Sequence, residues 1–303
     1  FSSDRYRAGM QPDRSSVRRA TLAVAIAATL FATTGTAAEL GPEALSPRAA
    51  GAWRAMIGGA GLAIWMGFRH RPVHLRSLDW RWVLLGGIAV AGYQLTFFDA
   101  VSRTGVAVGT LVTIGIGPVV AGVIDATLTR RPPSTRWVTG ALAAIVGVGL
   151  LTVDAAGIDV AGVGLAVLAG TTFPFYGLAA QRLMGRVESD VAIGVVFGAG
   201  TILLIPVAIG SASEAFASAG SIVTVAYLGV FTLSLAYILW GLGLQRLSLG
   251  VVVVVTLLEP AVASLLGVAV LGEPLTLALL AGIVFVAAGV VLASTTKPAA
   301  GTV

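Results

Sequence analysis

Long apolar runs alternate with short polar joints along the whole chain. A membrane-crossing helix needs about 20 mainly apolar residues. Ten stretches reach that length: 20–40, 47–68, 80–101, 106–128, 135–153, 160–182, 191–209, 221–245, 250–271 and 275–295. The joints between them, such as 69–80 and 130–136, hold most of the charges and turn formers. The pattern predicts an all-α membrane protein of ten transmembrane helices, with no stretch left for a separate soluble domain.

The two halves repeat. A shift of 142 residues lays Thr29, Phe31, Gly35, Ala37 and Ala38 on Thr171, Phe173, Gly177, Ala179 and Ala180. The same shift pairs Gly58 with Gly200, Leu62 with Leu204, and Gly87 with Gly229. It also pairs Pro118 with Pro260, Pro132 with Pro274, Gly140 with Gly282, and Gly147 with Gly289. One ungapped register touching all five helix pairs marks a tandem repeat. The expected units are 20–153 and 160–295, flanked by tails 1–19 and 296–303. Met10 is the expected start, and residues 1–9 are set aside as lying upstream of it. Arg18-Arg19 followed by an apolar run ending at Thr36-Ala37-Ala38 also fits a signal peptide. The internal copy of that run favours a retained first helix. Five crossings per unit is odd, so the second unit must enter from the opposite side, as in inverted-repeat carriers.

Composition and charge sharpen this picture. Apolar residues make up 57% and charged residues 11%, against about 25% charged in a soluble domain. Of the 19 arginines and lysines, only Arg48, Arg54 and Arg103 fall on the side opposite the N-terminus. The positive-inside rule then puts both termini in the cytoplasm. A bacterial inner membrane is the expected location. Across the repeat, Arg130-Arg131-Pro132 becomes Gly272-Glu273-Pro274, the change an inverted unit should show.

Several chemistries are hard to build here. There is no cysteine, and Lys297 is the only lysine, which removes the Gly-Lys-Ser/Thr phosphate loop of an ATPase. Both histidines, His70 and His74, share one arginine-rich joint, so no catalytic triad or zinc motif forms within the apolar helices. Strings such as Gly115-Ile116-Gly117 read as helix-packing positions. An enzyme is therefore not expected, nor a cofactor, nor a nucleic-acid partner. The expected partners are the lipid bilayer and a small molecule, with no obligatory protein partner.

Ionisable groups inside apolar helices are the functional candidates. Glu259 lies nine residues into the ninth stretch, roughly 14 Å deep, near the middle of a ~30 Å core. It acts either as an inter-helix acceptor or as a group facing a wet cavity. Arg54 and Asp99 sit at similar depth near one membrane face, where an ion pair is expected. Asp125, near the other face, should snorkel or meet Arg130 and Arg131. Pro118 and Pro260, repeat mates, and Pro174 each remove a backbone hydrogen bond at depth. They are the expected helix breaks, freeing the carbonyls of Ile114, Thr256 and Gly170. Thr33, Thr34, Tyr93, Gln94, Tyr176, Tyr237 and Trp240 share the middle depth and join Glu259 as candidate substrate-binding residues.

The last two stretches carry a recognisable signature. Leu258-Glu259-Pro260-Ala261, then Leu271-Gly272-Glu273-Pro274, resembles the end of the EamA domain of the drug/metabolite transporter superfamily. Pro47 and Arg54 resemble that family's Pro…Arg stretch. The first unit departs from the pattern, with Gly117 in place of the acid. The resemblance implies a carrier of small metabolites, often amino acids, with YddG-type amino-acid exporters as one subgroup. It also implies a central cavity lined by helices one, three, four, six, eight and nine. The two halves are expected to rock about a midplane site and expose it alternately. Sugar phosphates are disfavoured, since no lysine or arginine is placed at mid-depth. A channel-like facilitator or scaffold is the alternative.

Overall fold

The computed structural model describes residues 14–69, 78–150, 159–272 and 274–294. His70, His74, Lys297 and Glu273 lie outside them. The described residues are helical, with no strand among them. In chain order the helices are α1 (Arg14–Glu39), α2 (Pro47–Arg69), α3 (Trp80–Thr129), α4 (Thr135–Leu150), α5 (Val160–Leu183) and α6 (Ser189–Gly210). The short turn α7 (Ala212–Ala215) follows, then α8 (Ala219–Leu244), α9 (Leu249–Val270) and α10 (Leu277–Ser294). Eight segments are long and apolar enough to cross a bilayer, and α4 is a shorter apolar helix. The remaining long helix, α2, has 23 residues and is rich in glycine and alanine. Short polar side chains start several helices. Asp79, Asp159, Ser218 and Ser248 each accept an amide hydrogen bond at the beginning of α3, α5, α8 and α9, which satisfies otherwise orphaned donors.

Helix α3 is a hairpin. Its 50 residues would reach about 75 Å if straight, more than twice a hydrocarbon core. Instead it contains two spans, Trp80–Thr104 and Val112–Thr129. A Cβ on Gly109 would stand 3.1 Å from the Cα of Val101, eight residues earlier and about 12 Å away along a straight helix. The two arms pack on α5 in opposite directions. Gly162 of α5 lies against Ala100 and Thr104, Thr172 is near Gly92, and Ala179 near Gly86. Along the second arm, Thr113 Oγ1 donates to the Ala166 carbonyl at 3.1 Å, and Gly117 faces Phe173. The sequence predicts a loop after residue 101. The structure keeps helical turns while the chain reverses.

Repeat mates pack antiparallel. A Cβ on Gly140 would meet the Gly289 carbonyl oxygen at 2.7 Å, and one on Gly147 would meet the Gly282 carbonyl oxygen at 2.7 Å. Each glycine thus touches the mate of the other, the signature of a local two-fold axis across α4 and α10. The same crossing relates α2 and α6. Trp53 Nε1 donates to the Ala208 carbonyl, Thr201 Oγ1 to the Ala55 carbonyl, and Trp65 Nε1 to Asp190. With little hydrophobic drive between helices in lipid, small residues and close backbone contact supply the packing. Large side chains point outward instead, among them Phe68 and Leu277.

Two features inside the bundle bear on the site. In α9 the helix runs from Leu249 to Thr256 and resumes at Leu258, the interruption that Pro260 imposes on the Thr256 carbonyl. In α8, residues Val230–Leu235 form a π-helical turn. Such a turn widens the coil and loosens carbonyls from their regular partners.

Candidate functional site

The site grows from the middle of α8. Across the π turn, Ser234 Oγ donates to the carbonyls of Gly58 at 2.9 Å and Gly229 at 3.2 Å. One turn away, Arg54 of α2 donates from a terminal guanidinium nitrogen to the Thr232 carbonyl at 2.8 Å. Arg54 is 6% exposed, and its Nε has no hydrogen-bond partner. A buried donor left open is costly, so this guanidinium has binding capacity to spare. Its charge acts on Glu259, Tyr93, Tyr176 and Tyr237.

Those groups surround an aromatic cluster. Tyr176 and Tyr237 share a hydrogen bond of 2.6 Å between their hydroxyls. Tyr93 meets Tyr176 edge-on at 6.1 Å and stacks on Phe97 at 5.4 Å. Phe173 lies 5.3 Å from Tyr176 and 5.8 Å from Trp240. Phe31 and Phe197 flank Tyr237 at 4.9 and 4.1 Å. Trp240 is fully buried, and its Nε1 donates to Thr256 Oγ1 at 3.1 Å. That contact ties the cluster to the residue whose carbonyl Pro260 frees. Glu259, half-buried, stands just past the break.

Other expected residues fall differently. Thr33 accepts from Tyr227 at 2.9 Å and donates to Leu30 at 2.7 Å. Thr34 Oγ1 and Gln94 Oε1 are buried without partners. Pro118 and Pro174 lie inside uninterrupted helical runs. A single missing hydrogen bond is absorbed there by close packing, as where Gly170 meets the Thr113 carbonyl.

The expected Arg54–Asp99 ion pair does not form. Asp99 pairs with Arg48 through two hydrogen bonds. Six residues separate the two arginines on α2, about 9 Å along the axis. Arg48 therefore meets Asp99 at the helix end, while Arg54 turns inward to Thr232. This correction also removes the argument against anionic substrates, because a buried arginine does stand beside the cluster. Asp125 likewise finds a different partner. Its Oδ2 accepts from the Gly250 amide at 2.7 Å, placing a carboxylate on the first turn of α9. Phe31, Phe173 and Phe197 are the members that sequence reasoning missed, while Arg54, expected in an ion pair with Asp99, stands here instead. Phe31 and Phe173 were already visible as repeat mates.

Two clefts lie away from the cluster. One, of about 260 Å³, sits around Arg48, Asp99 and Arg103. The other, of about 250 Å³, lies between the second arm of α3 and α4.

An all-helical bundle with eight apolar spans and a polar, aromatic centre is an integral membrane protein. The EamA-like transporter family matches residues 18–153 and 160–295, and the chain belongs to that family. It is 37% identical over 278 residues, covering 90% of this chain and 93% of the relative, to an uncharacterized transporter, YwfM, of Bacillus subtilis strain 168. A second uncharacterized transporter of that strain, YyaM, is 24% identical over 266 residues, covering 82% and 85%. A solved crystal structure superimposes with a TM-score of 0.77 at 22% identity, covering 90% of this chain and 96% of the other.

Proposed function

We propose that this transporter is a secondary carrier with ten crossings in two inverted five-helix units. It moves small metabolites, amino acids foremost, across a bacterial inner membrane by alternating access. Both termini lie in the cytoplasm, where the arginine-rich joints gather. The bilayer and the solute are its partners, and no protein partner is required. One observation carries the reading. A buried guanidinium, Arg54, and a carboxyl group, Glu259, stand by the aromatic cluster and the Pro260 break. A zwitterion matches that arrangement. Its carboxylate takes the open guanidinium, its ammonium takes Glu259 or an aromatic face, and its side chain packs on Phe173 and Trp240. Thr33, Thr34, Gln94, Tyr93, Tyr176 and Tyr237 complete the lining in this proposal. YddG-type amino-acid export is the subgroup it points to.

Counterflow in proteoliposomes tests the proposal. Preloading with unlabelled amino acid should accelerate entry of the labelled one, and Glu259→Gln should abolish that acceleration. Flux that neither saturates nor responds to preloading would replace the carrier with a channel-like facilitator.

A further inference from the structure

The cleft between the second arm of α3 and α4 is a groove on the outside of the bundle. Val119, Val123, Ala126, Trp137, Leu142 and Ile145 line it, and three of these side chains are exposed at hydrocarbon depth: Val119, Val123 and Leu142. Water cannot be satisfied by such a lining, and an empty groove forfeits dispersion contacts. A helix, about 10–12 Å across with its side chains, is too broad for a volume of about 250 Å³. Pro133 closes one end of the groove. Around that end stand Arg130, Arg131 and Arg136, all exposed. The ion pairs among the described residues, Arg48–Asp99 and Arg69–Asp190, leave these three without a carboxylate.

We infer that one acyl chain of an anionic phospholipid occupies this groove, with its headgroup phosphate held by Arg130, Arg131 and Arg136. The chain supplies the apolar filling, and arginines supply forked donors that suit a phosphate. The site is separate from the aromatic cluster and does not depend on what the transporter carries. Trp137 forms one wall and serves as an internal reporter. Its Nε1 has no hydrogen-bond partner, and its ring wedges against Gly122 and Gly250.

The full chain is reconstituted with phosphatidylglycerol or phosphatidylcholine carrying brominated acyl chains, and tryptophan quenching is followed. Phosphatidylglycerol should associate at least about fivefold more strongly, the attraction of a single interfacial arginine. The excess should vanish in Trp137→Phe and in the triple variant R130Q/R131Q/R136Q. Ala126→Phe, which fills the groove while retaining the tryptophan at 137, should remove it as well and guards against a misfolded Trp137 variant. Equal quenching by the two lipids overturns the inference, as does an excess that survives Trp137→Phe. The chain has no cysteine of its own, so Val123→Cys adds a direct control. Disulfide capture of a second copy through that position would put protein in the groove and overturn the lipid assignment.

Discussion

Arg48 and Arg54 stand on one helix and have opposite fates. Arg48 is 65% exposed in its pair with Asp99, where water and salt screen the attraction. Arg54 is buried and holds a carbonyl that the π turn of α8 leaves available. Replacing Arg54 by Gln should remove a charge-assisted bond of about 1.5–3 kcal/mol, about tenfold or more in substrate affinity. Lys should not rescue it, since an ammonium lacks the fork that reaches Thr232 and a ligand together. Arg48→Gln should leave transport and the melting temperature unchanged. Initial uptake rates over a substrate series, with melting curves of the three variants, check both statements. Residue type and depth in the sequence single out Glu259, Tyr93, Tyr176, Tyr237 and Trp240, and the structure gathers these five around one cluster. Sequence depth alone sends Arg54 to Asp99, because counting along a helix fixes height but not the direction a side chain faces.

At the scale of elements, most helices could be read from apolar length. The departures share a cause. The reversal inside α3 and the π turn at Val230–Leu235 are set by contacts with α5 and α2, and neither carries a proline at the point of change. Conversely, Pro118 and Pro174 advertise breaks that tertiary packing suppresses, whereas Pro260 does interrupt its helix. The α4–α10 pair depends on bare backbone. Gly147→Leu would drive a side chain into the Gly282 carbonyl and the Val286 amide, both 2.7 Å from its Cβ. Overpacking of this kind costs about 1–3 kcal/mol, so the variant should melt earlier than the parent. Gly164, with nothing within 4 Å of a Cβ, should accept Ala with no loss. Thermal unfolding in one detergent, followed by circular dichroism, compares the two.

For the whole molecule, α9 divides the bundle at Leu257. Both halves pack on α1 and α10, and the first half alone also packs against α3, α4, α5 and α8. Asp125 on the Gly250 amide seals the first half to the other repeat. Val254 in the first half is fully buried, whereas Ala263 in the second is partly exposed. Ala263 lies one turn beyond Glu259 on the same side of the helix. In this cysteine-free chain, Ala263→Cys should react with a charged maleimide severalfold faster than Val254→Cys, which is fully buried. Equal rates would contradict this difference in access. The two units were legible from the matched glycines and prolines, and the antiparallel pairing of α4 with α10 follows from an odd number of crossings per unit. Which half of α9 is the more enclosed was not legible, because the 142-residue register says nothing of side-chain burial.

The α4–α10 seam would constrain the proposed alternation between the two faces. Where two backbones lie against each other through glycine, neither can slide lengthwise without striking a carbonyl. Relative rotation about the seam is far less hindered. In the proposed alternating access, the pair would serve as the spine of a book, fixed along its length, about which the leaves carrying Arg54 and Glu259 would turn.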